Sequence, residues 1–306
     1  MRIDSLTVNN AQTQGARRRE AISRQSPQHL ENATGLMLAA LRQRPYSVSR
    51  STLVLGAGAC TEVPLAALAH NSDEVVLADL DEISLKQGCD ELSTPALRKT
   101  VRLLVDDLSG GISTNLERLL TRQPWADLAE QGPREIFDTA AHCLESCTIP
   151  DPPEIAGLVA GNFGVVISSL VLSQLFSYPL LDVLDRVQKI APAALNEQER
   201  HHRYQEATQA FRTRVIEAHL HLIRSLLDTD GLAVLLCDQR GFVFDAPNPQ
   251  LTAEHRRAIP LVPRVFFELV EQNFTIVEKR EWEWLTDMPA EGRYGRGYDV
   301  IGYLLR

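Results

Sequence analysis

Residues 51–68, STLVLGAGACTEVPLAAL, decide how the rest of the chain is read. Residues 52–55 form a short apolar, partly β-branched run that ends in Gly56, Ala57 and Gly58, and residues 61–70 carry an amphipathic helical pattern. Strand, glycine turn and helix thus follow in order. Glycine suits such a turn because it adopts backbone angles that a Cβ forbids and lets a ligand approach the main chain closely. Amides at the start of the following helix would then face the ligand. The pattern predicts a nucleotide-cofactor cradle. An ordinary strand-to-helix turn is written in the same letters, so the neighbouring elements must decide.

A second apolar run, residues 74–78 (EVVLA), ends in Asp79, Leu80 and Asp81. Asp79 lies 23 residues after Gly56, close to the spacing of about 20 at which an acidic residue ending the second strand meets a ribose hydroxyl. Asp81 is placed to cap the next helix, expected over 82–92. A third strand, 101–105 (VRLLV), ends in Asp106 and Asp107, carboxylates able to accept from an exocyclic amine. The connection over 109–162 is too long for a bare loop and reads as a helical insert, with helices near 114–122 and 134–147.

Residues 163–172 (FGVVISSLVL) are the most apolar run and predict a central strand, followed by a turn at 173–178 and a helix at 180–190. A long helix is expected over 198–228, with Phe211, Val215, Ala218, Leu222 and Leu226 as its buried stripe. His219 and His221, two apart, cannot share a face of it. Asp230 and Gly231 then turn into a fifth strand at 232–237. Residues 238–262 read as an irregular stretch with three prolines, 263–272 as a helix, and 274–284 with 298–305 as two closing strands. At the other end, Leu30, Ala33, Met37 and Leu41 recur at helical spacing between Pro27 and Pro45, giving a helical cap after loosely ordered residues 1–26.

With 306 residues, 44% apolar and 23% charged, the chain has the make-up of one α/β domain with additions. It has no apolar run of about eighteen residues and no apolar leader of the secretory kind, which predicts a cytoplasmic protein with no membrane partner. The five cysteines, at 60, 89, 143, 147 and 237, are odd in number and lack CxxC spacing, so reduced thiols are expected. His142, Cys143 and Cys147 share a helix but offer too few ligands for a metal, and no metal is expected. A net charge of −9 with acidic residues spread along the chain argues against a nucleic-acid partner. Arg17, Arg18 and Arg19 form one dense basic cluster, which reads as a solvated tail.

Five strand-then-helix units followed by a strand, a loop and a final strand are more specific than any single motif. This order resembles the class I S-adenosylmethionine-dependent methyltransferase fold, over roughly residues 46–306. The likeness is strongest at LVLGAGACTEVPL, VVLADLD, VRLLVDDL, VVISSLVLSQL and DTDGLAVLLCD. It implies an α/β protein with a seven-stranded, mostly parallel Rossmann-like sheet, helices on both faces and an antiparallel last strand. To this are added a flexible segment and helical cap over 1–45 and the insert at about 109–162. By the same resemblance Gly56, Ala57 and Gly58 would face the methionine part of S-adenosylmethionine. Asp79, with Leu80 beside it, would hold the ribose, and Asp107, with Asp106, the adenine amine. Leu108 would pack on the adenine ring, and Ser168 and Ser169 would lie beside the sulfonium.

Two positions depart from the family pattern. Val54 stands where an acidic residue is common, and Cys60 where a third glycine is common, so Glu62 is the candidate for a polar contact to the cofactor amine. SSLVLSQL at the fourth strand resembles the branches that act on small molecules. Two rival readings are an NAD(P)-dependent oxidoreductase, which would want glycine or alanine where Thr61 stands, and a non-catalytic scaffold that binds protein through the insert. No catalytic base stands out among His201, His202, His219, His221 and His255. The acceptor pocket is expected where 109–162, 238–262 and 285–297 converge beyond the strand ends, with the helix before the first strand covering the same mouth. Tyr178, Arg240, Phe242, Arg293, Tyr294 and Arg296 there would suit an aromatic or carboxylate-bearing acceptor. Residues 292–297, flanked by glycines, would act as a mobile lid.

Overall fold

In β1 (Ser51–Leu55), β2 (Glu74–Asp79) and β4 (Phe163–Ser169) nearly every residue is buried, as parallel strands covered by helices on both faces must be. The computed structural model, which describes residues 24–244 and 256–306, joins these to β3 (Val101–Val105), β5 (Leu227–Phe244), β6 (Arg256–Pro260), β7 (Ile276–Asp287) and β8 (Gly295–Leu305). The eight strands make one sheet in the order β3-β2-β1-β4-β5-β8-β7, with β6 paired to β5. Pairing is parallel from β3 through β5. β8 runs antiparallel to both β5 and β7, so the reversed last strand expected from the sequence lies between them. The arginines at 17–19, His255 and the middle of the 238–262 stretch lie outside the described residues.

The helices are α1 (Pro27–Gln43), α2 (Leu65–Asn71), α3 (Glu82–Asp90), α4 (Pro95–Lys99), α5 (Ile112–Thr121), α6 (Trp125–Gln131), α7 (Pro133–Ser146), α8 (Leu172–Ile190), α9 (His202–Leu226) and α10 (Val265–Asn273). Successive strand residues point to opposite faces, so Leu53, Leu55, Val76 and Ala78 pack with α5 through α10, and Val54, Val75 and Leu77 with α1, α2 and α3. The expected stripe on α9 is buried throughout. The insert has no core of its own, since Leu116, Leu120, Trp125, Phe137 and Leu144 join the same cluster as β1 and β4. Arg214 of α9 ties it down, donating to the carbonyls of Leu144 at 2.7 Å and Cys147 at 3.1 Å at the end of α7.

Three expectations are corrected. The helix after β4 begins at Leu172, with Pro179 inside it, where the sequence reads as a turn over 173–178. A proline costs a helix about 3 kcal/mol, but Phe176, Leu180, Val183 and Val187 are all buried on one stripe, each contributing about 1.5 to 3 kcal/mol. Second, β5 runs eighteen residues, through Asp230 and Gly231 and on to Phe244. Its extension is held on one side by β8 and on the other by β6, the strand that the sequence did not announce. Third, Gly295 and Gly297 belong to β8 and not to a lid. They pair with Phe244 and Phe242 of β5, and a Cβ on either glycine would lie 2.5 Å from the phenyl ring opposite. The glycines are there so that two aromatic rings can lie across the strand.

Inside the sheet, Ser168 Oγ of β4 hydrogen-bonds Nε2 of His219 on α9 at 2.8 Å, and both residues are buried. Burial lowers the His219 pKa from 6.5 to about 4, because the charged imidazolium would be stripped of water. His221, on another face of α9, is exposed and pairs with Asp151.

Two outcomes follow from this packing. Gly297→Ala is expected to destabilise by about 1 to 3 kcal/mol through overpacking, and combining it with Phe242→Leu should recover part of that loss. A double-mutant cycle by urea unfolding measures the coupling, and strict additivity would show that the ring contact is not the cause. The unfolded chain binds a proton at His219 between pH 6.5 and 4 when the folded one does not, so stability falls as pH drops through that window. The loss between pH 7 and pH 5 should be about 2 kcal/mol from this residue, and His219→Gln should flatten the pH dependence by that amount.

Candidate functional site

The strand order reverses direction between β1 and β4, the place where an open α/β sheet leaves a crevice at its carboxyl edge. The turn after β1 is fixed there by main-chain contacts. Gly56 and Ala57 donate to the carbonyl of Ala78 at 2.9 and 3.2 Å, and Gly58 donates to Oδ2 of Asp79 at 2.8 Å. Asp79 Oδ1 accepts from the amide of Asp81 at 3.0 Å, so two backbone donors hold this carboxylate at the lip of β2. Gly56 and Gly58 are both left-handed, with φ of 72° and 46°. A Cβ at Gly56 would lie 2.5 Å from Cβ of Val171, whereas one at Gly58 would meet nothing within 4 Å. The first glycine is demanded by packing; the second leaves open space beside the main chain.

Cys60 is also left-handed, with φ of 54°, so the position that lacks the family's third glycine keeps the backbone a glycine would take. The helix that follows starts later than its sequence pattern indicates. Pro64 is its N-cap and α2 begins at Leu65, so residues 61–64 continue the loop and the first helical amides do not adjoin the glycines.

The crevice has a volume of about 560 Å³. Of the residues singled out in the sequence, Gly56, Ala57, Gly58, Glu62, Asp79, Ser169 and Tyr178 line it. The others do not. Ser168 points the opposite way, to His219. Leu80 is 71% exposed. Asp106 sits one strand over, its amide on the Asp79 carbonyl at 3.2 Å and its Oδ2 accepting from Ala156. Asp107 accepts from Ser109 and Gly111 and so organises the loop before α5, with Leu108 buried beneath. Phe242 is buried over Gly297, and Arg240, Arg293, Tyr294 and Arg296 are exposed. Nothing from 109–162 lines the crevice either.

Sequence reasoning missed one wall. Ser173, Gln174 and Ser177 line the crevice with Tyr178 because α8 begins eight residues before the helix read from the sequence. Asp238 of β5 and Leu261, both from the 238–262 stretch expected at the acceptor mouth, complete it together with Trp284 of β7 and Tyr298 of β8. The alternation Trp282, Glu283, Trp284 signals two large rings on one face of a strand, and both are buried. The N-terminal helix supports this wall. His29 of α1 is fully buried, stacks on Trp284 at 4.4 Å and 7°, and accepts at Nδ1 from Nε1 of Trp282 at 2.9 Å. Because an indole only donates, the neutral imidazole carries its proton on Nε2, which faces the Glu62 carboxylate at 3.9 Å.

A larger hollow of about 950 Å³ lies between α5 and α8, lined by solvated charges such as Arg118, Asp182 and Arg186. Neither a glycine turn nor a strand end reaches it, so the crevice is the candidate site. Among the described residues no group of three or more His, Cys, Asp or Glu is placed to hold a metal. Burial pushes the thiols of Cys143 and Cys147 up to about 11, and both belong to the core. Among the described residues no helix is long and apolar enough to cross a membrane.

No protein-family model matches the sequence, and no curated protein matches it. Among solved structures the chain is similar to the glycopeptide N-methyltransferase MtfA complexed with (S)-adenosyl-L-methionine, at 13% identity and a TM-score of 0.39 over 89% of this chain and 92% of that one. It is also similar to a SAM-dependent methyltransferase from Aquifex aeolicus, at 10% identity and 0.37 over 88% and 87% of the two chains. A SAM-dependent methyltransferase from Leishmania major gives 9% identity and 0.39 over 90% and 71%. The strand order, with β8 reversed between β5 and β7, is the mostly parallel sheet that the sequence resemblance implies.

Proposed function

We propose that the chain is an S-adenosylmethionine-dependent methyltransferase acting on a small-molecule acceptor. The observation that carries this reading is the Asp79 carboxylate, oriented by the amides of Gly58 and Asp81 at the mouth of a crevice where the strand order reverses. The open space at Gly58 fits a cofactor laid against the main chain. When bound, that cofactor supplies an electrophilic methyl group.

The chain's own groups then divide the work. Asp79 keeps lone pairs for two vicinal ribose hydroxyls after accepting its two amides. Glu62, which lines the crevice and lies 3.9 Å from His29, would receive the amino group of the methionine part. Asp106, Asp107 and Leu108, at the end of β3 beside Asp79, would hold the adenine end. Ser169, the last residue of β4, lines the crevice and would lie beside the reacting centre, and Leu170 after it is held left-handed with φ of 54°, a strained position of the kind that collects at working sites. Trp284 and the side chains of α8 exclude water from the acceptor side. Holding the acceptor in line is the main catalytic contribution available to such a site. His219 takes no part in proton transfer, since it faces Ser168 away from the crevice.

The rival oxidoreductase reading finds less support, because the loop at Thr61 continues where a nicotinamide cradle would start its helix. The acidic balance and the absence of any Arg or Lys among the described crevice residues speak for a small acceptor and not a nucleic acid.

Asp79→Asn keeps an acceptor for Gly58 but removes the charge, and is expected to weaken S-adenosylhomocysteine binding by about 10- to 100-fold, the scale of a hydrogen bond to a charged group. Isothermal titration calorimetry measures it, and unchanged affinity would sink the assignment. Protection against heat by NADH, and not by S-adenosylhomocysteine, would favour the oxidoreductase.

A further inference from the structure

One buried donor on α1 lacks an acceptor. His29 is fully buried, and its Nε2 has no hydrogen-bond partner among the described residues. A buried N–H left in that state is costly and therefore rare, which makes it an exception with a cause to be found. The rest of the ring is held firmly. Nδ1 accepts from Nε1 of Trp282 at 2.9 Å, and the ring lies flat on Trp284. The start of the helix is clamped as well, since Ser26 Oγ accepts from the amide of Leu285 on β7 and donates to its carbonyl, each at 2.9 Å. An imidazole fixed in this way can point its Nε2 proton in one direction.

That direction is Glu62. Nε2 lies 3.9 Å from Oε1 of Glu62, about 1 Å beyond the length of a charge-assisted hydrogen bond to a carboxylate. Glu62 lines the crevice and belongs to the loop that precedes α2, so no helical hydrogen bonds fix its backbone. A fixed donor thus faces a carboxylate with room to adjust. A small side-chain rotation closes the gap, and the second carboxylate oxygen is left for a ligand. With the ring neutral, the pair carries one negative charge, which matches one ammonium. Orienting the carboxylate before the ligand arrives removes part of the ordering that binding would otherwise require.

We propose that His29 is a positioning residue for the cofactor, its Nε2–H holding one oxygen of Glu62 so that the other meets the ammonium of the methionine part. This rests on the reading of the crevice as the S-adenosylmethionine site, and it makes α1, which lies outside the strand-and-helix units of the sheet, a part of that site. The plain alternative is that His29 only packs α1 against β7. The two differ in what depends on Nε2.

Calorimetry on the full chain compares S-adenosylhomocysteine, which carries the amino-acid end, with 5′-methylthioadenosine, which lacks it. His29→Phe keeps an aromatic ring but no donor, and should weaken S-adenosylhomocysteine binding roughly tenfold, the scale of one hydrogen bond to a charged group. Methylthioadenosine binding should not change. His29→Gln, whose amide can place a donor near the site of Nε2, should recover part of the loss. In a Glu62→Gln background, His29→Phe should have no further effect on S-adenosylhomocysteine. Equal losses for the two ligands, or a full effect of His29→Phe that persists without the Glu62 carboxylate, would show packing alone and overturn the proposal. So would a folded Glu62→Gln that binds S-adenosylhomocysteine as tightly as the unaltered protein, a result that stands even if His29→Phe fails to fold. If the unaltered protein binds methylthioadenosine and S-adenosylhomocysteine but shows none of this coupling, the proposal alone falls. If it binds neither, the methyltransferase reading falls and takes the proposal with it.

Discussion

The molecule depends on one unusual strand placement, the insertion of β8 antiparallel between β5 and β7. An edge-to-edge addition would need only one partner. A strand slid between two others must satisfy ladders on both sides at once, and β8 does so over its whole length. The consequences reach three places. Glycine at 295 and 297 makes room for the rings of Phe244 and Phe242. Tyr298 and Trp284 come to the mouth of the crevice, and α1 gains the surface on which His29 and Leu36 settle. The first described helix thus packs on the last two strands of the chain.

Much of the fold was legible because its strongest signals are local. β1, β2 and β3 lie where their apolar runs do, β1 and β2 because they are buried on both faces, β3 although it is an edge strand that carries the half-exposed Arg102. Asp81 caps α3 through the amides of Ile83 and Ser84, as its place before the helix indicates. The errors came where distant contacts outweigh local preference. Pro179 reads as a helix end, but a buried stripe on both sides of it carries the helix through. Residues 238–244 read as a loop because their partners lie some sixty residues later in β8, and β6 is visible only once β5 is known to be long.

The site divides along the same line. The cofactor side was legible, because Gly56, Gly58 and Asp79 are placed by a turn whose contacts are short in sequence or bridge adjacent strands. The acceptor side was not, because Asp238, Trp284 and Tyr298 meet only through the β5-β8-β7 ladder. Arginine and tyrosine in a glycine-flanked segment look like a binding loop in one dimension. In three, those arginines point to water, and the large rings come from the alternating face of a strand that looked ordinary.

The left-handed backbone at Cys60 bears on how such turns are recognised at all. A residue with a Cβ gives up about 1 to 2 kcal/mol in that conformation, a modest part of the 5 to 15 kcal/mol by which domains of this kind are stable. The buried thiol packs against Gly88 of α3, which has no side chain to obstruct it. Selection acts on the path of the main chain, and the third glycine is one of several ways to secure it. A pattern spelled in glycines is therefore a narrower net than the dihedral condition it stands for, and a sequence can slip through its mesh with the turn intact.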